Sequence, residues 1–122
     1  MTKAAWKKQI EEACRTVGTY RECFDAVIDT LADILWRRDK AWQQFKKEGY
    51  ELLVCHTNKA GAENVTQNPL VRVINELNRD ALAYWRELGL TPAGLKKLND
   101  SALKVKENTS PLQEALARLG GS

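Results

Sequence analysis

The chain has 122 residues, 43% of them apolar and 29% charged, with a net charge of +3. That length suits one domain with a real core, and the composition excludes a disordered or collagen-like chain. No apolar run approaches the roughly 18 residues that span a bilayer. The opening "MTKAAWKKQIEE" lacks an apolar secretory segment, and Cys14, Cys23 and Cys55 form an odd set without CxxC spacing. Both features point to a soluble chain in a reducing cytoplasm. The modest net charge hides a block pattern: residues 1–21 sum to +3, 22–36 to −4 and 37–47 to +4.

Taken in chain order, Trp6, Ile10, Ala13, Cys14 and Val17 fall on one helical face, and Gly18 ends it. Thr19 and Glu22 have the spacing of a capping box. Next comes the longest pattern, in which Phe24, Ile28, Leu31, Leu35, Arg38, Trp42 and Phe45 alternate steps of four and three. That is a coiled-coil-like seam interrupted by Arg38. As one helix from Tyr20 to Glu48 it would measure about 44 Å. A compact domain of this size is roughly 35 Å across, so the seam calls for an elongated protomer or a second subunit.

Residues 50–66, "YELLVCHTNKAGAENVT", read as a strand, a turn and a short return, a small hairpin insertion. Helical stepping resumes with Leu70, Ile74, Leu77, Ala81, Tyr84 and Leu88. Asn68-Pro69, Thr91-Pro92 and Ser110-Pro111 each pair a capping side chain with a proline at the first helical position. They start this helix and two short ones, about 92–106 and 111–119, before a loose tail at 120–122. The expected fold is mainly α: a single helical domain over 1–119 whose oligomerisation core is about 19–90.

Chemistry is sparse. His56 stands beside Cys55, but adjacent residues of a strand face opposite ways, so a Cys–His dyad is disfavoured. Neither four spaced Cys/His ligands nor a glycine-rich phosphate loop exists. The reading is of a non-enzyme with no cofactor and no metal. Asp25, Asp29 and Asp33, followed by Arg37, form one row on the long helix. Acids early and bases late complement the helix dipole, which explains the row better than a metal does.

Three basic groups remain as candidate phosphate contacts: Lys3, Lys7 and Lys8; Arg37, Arg38 and Lys40 with Lys46 and Lys47; and Lys96 with Lys97. Repeated around an oligomer, each becomes a ring of charge that holds DNA backbone without reading bases. Trp6, Trp42 and Trp85 sit on or beside apolar faces and read as packing residues. A groove-reading helix-turn-helix at 86–100 is disfavoured. Four positions before Gly89 stands bulky Trp85, and Gly94 weakens the second helix.

The stretch "NPLVRVINELNRDALAYWRELGLTPAGLKKL" resembles the phage terminase small subunits, through Asn68-Pro69 and the corner Leu88-Gly89-Leu90-Thr91-Pro92. Upstream, a long helix ending in "KKEG" and a link carrying Gly49, Gly61 and Val65 is similar too, so the resemblance covers roughly residues 3–98. Leu95 stands where many of these proteins have Arg, which leaves Lys96 and Lys97 as the local basic contacts. The resemblance implies a homo-oligomeric ring in the host cytoplasm. Such a ring binds double-stranded viral DNA and delivers it to a large terminase subunit with the ATPase and nuclease. Phe24, Ile28, Leu31, Leu35, Trp42, Phe45, Leu70, Ile74, Leu77 and Leu88 would form core and subunit interface. The alternatives are a helix-turn-helix regulator, which would be a dimer on a short palindrome, and a helical scaffold without DNA affinity.

Overall fold

The computed structural model describes residues 1–101. The expected helix at 111–119 and the tail at 120–122 lie outside them. Three helices and one hairpin follow in order: α1 Lys3–Val17, α2 Asp25–Lys47, strands β1 Leu53–Thr57 and β2 Glu63–Gln67, and α3 Pro69–Glu87. Residues 92–101 are helical as well.

Helix α2 is the spine. It packs against α1 and against α3, so most of its two-sided apolar seam is covered within the protomer. Ile28, Leu31, Ala32 and Leu35 are fully buried, alongside Ile10 and Cys14 of α1 and Ala81 and Leu88 from the α3 side. Leu77, Trp6, Tyr84 and Trp85 close the edges of this core. Farther along α2, Ala41 and Phe45 pack with Ile74, and Leu70 borders them. Two seam residues stay open: Phe24 is 39% exposed and Trp42 43%.

Two sequence expectations fail at the start of α2. The helix does not run unbroken from Tyr20, because Glu22–Phe24 form a 3₁₀ turn and α2 begins at Asp25. Its 23 residues give about 35 Å, the width of a compact domain rather than 44 Å. The capping box does not form either. The Thr19 hydroxyl instead donates to the Leu88 carbonyl at 2.8 Å, satisfying an orphan acceptor at the end of α3 and tying the first loop to the last corner.

Asn68 and Thr91 cap as expected and do more, while Ser110 lies outside the described residues. Asn68 Oδ1 accepts from the Leu70 N–H at 3.1 Å, while its Nδ2 donates to the Glu51 carbonyl at 2.9 Å and to Glu48 Oε2 at 3.2 Å. This single buried amide fixes the start of α3 to the end of α2 and the root of the hairpin. Thr91 caps residues 92–101, its hydroxyl accepting from the Gly94 N–H at 3.0 Å.

The corner at 88–94 depends on two glycines. Gly89 has φ +72°, where only glycine is unstrained, and a Cβ there would lie 2.8 Å from Leu98 Cδ1. At Gly94 an added Cβ would sit 2.3 Å from the Arg86 carbonyl oxygen. Gly94 therefore lets the last turn of α3 and the next helix approach closely. It is a packing residue, not merely a weak point.

Candidate nucleic-acid interface

The basic candidates separate into two classes once α1 lies along α2. Lys7 Nζ donates to Asp25 Oδ2 at 3.2 Å and lies 4.0 Å from Asp29; Lys3 lies 3.7 Å from Asp29 and 3.8 Å from Asp33. Arg37 completes the ladder, 2.9 Å from Asp33. The aspartate row is thus matched by Lys3 and Lys7 across the α1–α2 contact and by Arg37 along α2 itself. Its hydrogen bond to Asp25 raises the Lys7 pKa above the ordinary lysine value. Exposed pairs of this kind contribute little to stability, but these cations already have partners. Among the described residues no cluster of His, Cys, Asp and Glu could hold a metal ion.

Arg38 turns inward. Its guanidinium lies 5.6 Å from the centre of the Trp6 ring, with Nη1 3.4 Å from Asn78 Oδ1 and Nη2 3.6 Å from Asp39, and its Nε is buried without a partner. Asp39 is held from two further sides, by the Trp6 indole N–H at 2.6 Å and the terminal amine at 3.6 Å. The interruption in the seam is therefore the centre of a polar knot joining α1, α2 and α3. Lys40 lies 5.6 Å from the centre of the Trp36 ring.

Six candidates remain exposed with no carboxylate within 4.0 Å among the described residues: Lys8, Lys40, Lys46, Lys47, Lys96 and Lys97. Lys46 and Lys47 occupy the last turn of α2, where the helix dipole favours cations. Lys96 and Lys97 line a shallow depression of about 420 Å³ with Ala93, Asp100 and Ser101. Lys97 also borders a second depression with Arg86. Arg86 escapes sequence reading because it stands on the other helix of the corner, and only the close crossing at Gly94 brings it beside Lys97.

The thiols and the lone histidine do not converge. Cys14 is buried, and that burial raises its pKa, whereas Cys23 and Cys55 are exposed. Cys55 pairs with Val65 and His56 with Asn64 across the hairpin, so the two side chains leave opposite faces.

The family model for the phage terminase small subunit matches residues 2–103. The chain belongs to that family. Comparison with curated proteins and with solved structures gives no significant match. Among the described residues of this small-subunit family member, no helix is long and apolar enough to cross a membrane.

Proposed function

We propose that this chain is the small terminase subunit of a tailed phage or prophage. It assembles as a homo-oligomeric ring in the host cytoplasm, binds double-stranded viral DNA and presents it to the large subunit. The chain itself is not an enzyme; the ATPase and nuclease belong to that partner. Residues 1–119 act as one helical domain, with the oligomerisation core at about 19–90.

The observation that supports this most directly is the sorting of the cations. The ladder pairs Lys3, Lys7 and Arg37 with aspartates, while Lys46–Lys47 and Lys96–Lys97 stand as exposed pairs with no carboxylate within 4.0 Å among the described residues, Asp100 bordering the second pair without touching it. A lysine pair alone holds phosphate weakly. Repeated by symmetry, two pairs per protomer give a multivalent grip whose counterion release makes it steeply salt-dependent and indifferent to sequence.

Electrophoretic or anisotropy titration of duplex DNA against salt tests the reading. Replacing Lys46 and Lys47, or Lys96 and Lys97, by Gln weakens binding at least tenfold near physiological salt and flattens the salt dependence. Replacing Lys3 and Lys7 leaves the affinity within twofold. Unchanged binding for every pair would contradict the phosphate grip.

A further inference from the structure

The hairpin carries an inference about how copies meet, and it rests on the self-assembly part of the functional reading. Two backbone hydrogen bonds fix its polarity. The Asn58 N–H donates to the Ala62 carbonyl at 2.9 Å and the Asn68 N–H to the Leu52 carbonyl at 2.8 Å. In an antiparallel ladder hydrogen-bonded pairs alternate with non-bonded ones. With the register Leu53↔Gln67, Cys55↔Val65 and Thr57↔Glu63, those three pairs are the non-bonded ones. Hence Leu53, Cys55 and Thr57 aim their N–H and C=O groups outward from β1, and Glu63, Val65 and Gln67 aim theirs outward from β2. Among the described residues the sheet has only these two strands, so both edges are free.

Free edges are normally blunted by lysine, proline or a bulge. Here β1 is "LVCHT" and β2 is "ENVTQ", with one acidic residue at the tip and no proline or lysine. The apolar surface is equally open: Leu53 is 61% exposed and Val65 65%, on the same face as Cys55. At the root, Tyr50, Leu52 and Trp42 are 53%, 63% and 43% exposed. Side chains of this size leave on the order of 100 Å² each at such fractions, about 500 Å² in all. Leu53 and Val65 lie on one face of the hairpin and Leu52 on the other, so a strand added at an edge borders both groups and draws on part of the ~800 Å² one partner brings to a stable interface. An isolated two-stranded hairpin is marginal in water.

We infer that the partner is a second copy of this chain, joined by strand addition with β1 of one copy beside β2 of the next. The two edges have equal length and outward groups at the same alternate positions. Head-to-tail pairing leaves a free edge at each end, so it continues from copy to copy, and a rotation per copy that closes makes it a ring. The hairpin does not suit a phosphate partner, since residues 50–67 hold Glu51 and Glu63 against Lys59 alone.

Proline at an outward-facing position removes a donor from one edge and no bond within the hairpin. Cys55→Pro disables β1 and Val65→Pro disables β2. Light scattering on the full chain at micromolar concentration is expected to show an oligomer for the wild type and monomers for each variant alone, with helical circular dichroism unchanged. A 1:1 mixture has one intact β1 edge and one intact β2 edge, so it gives a mass of two protomers and no more. Should a proline disturb the hairpin itself, Leu53→Lys and Val65→Lys supply the same readout with every donor kept. Either proline or lysine variant retaining the wild-type mass would overturn strand addition while leaving the functional reading intact. A monomeric wild type would overturn both.

Discussion

The two ends of this protomer are held by different means. At the α1 end, Ile10, Cys14, Ile28, Leu31 and Leu35 have no exposed surface, and three helices converge on them. At the hairpin end, Ala41, Phe45 and Ile74 form a small cluster, and beyond it every hairpin strand residue but Val54 is exposed. The first end has what a small domain needs to fold. The second has surface that hydrophobicity alone would bury, tied to the body by the buried Asn68 amide and by Tyr50 against Phe45. One region supplies stability and the other offers contacts.

Stability measurements can break that contrast, beginning where the largest effect is expected. Leu31→Ala or Leu35→Ala removes a fully buried side chain and should cost about 3–4 kcal/mol in denaturant unfolding. Val65→Ala, measured on dilute protein, should cost under ~0.5 kcal/mol. Equal costs would show that the hairpin end is as tightly packed as the body. Gly94→Ala forces a methyl group against the Arg86 carbonyl and should lower stability by about 2–3 kcal/mol. Asn68→Ala should cost about 2 kcal/mol by losing the cap and leaving the hairpin root unpaired; limited proteolysis should then cut within 50–67 first.

Smaller effects separate the thiols. Cys23 should react rapidly with a thiol reagent under native conditions, and Cys14 only after unfolding. The Cys14 pKa is raised by burial above its ordinary value of 9.0. Its contribution is therefore complete below that pH and is lost as the pH rises through 9.0 toward the native value, because the unfolded thiol ionises first. Cys14→Ala should remove that alkaline component of the stability–pH curve; an unchanged curve would count against it.

Much of the fold was legible in the sequence because it rests on local chemistry. The Asn68-Pro69 and Thr91-Pro92 starts, the Gly89 stop and the hairpin around 50–66 follow from caps, turns and periodicity. The start of α2 was not legible, because Thr19 bonds to Leu88, a residue 69 positions away. The spacing of Thr19 and Glu22 carries no trace of that competitor. The basic blocks were visible as charge, but their sorting was not. Which lysines meet aspartates depends on how α1 lies against α2, and the inward turn of Arg38 depends on Trp6 and Asn78 arriving from two other helices. The sequence shows Gly94 only as a weakness of its own helix, because the Arg86 carbonyl it faces belongs to another.

The central claim is that this protomer completes itself only in an assembly that holds DNA by repeated lysine pairs. Light scattering coupled to size separation, with and without duplex DNA in low salt, tests it most directly. The expected result is a closed oligomer of fixed stoichiometry that takes up DNA and releases it as salt rises. A monomer at micromolar concentration, or an oligomer that leaves the DNA unbound, would contradict the account.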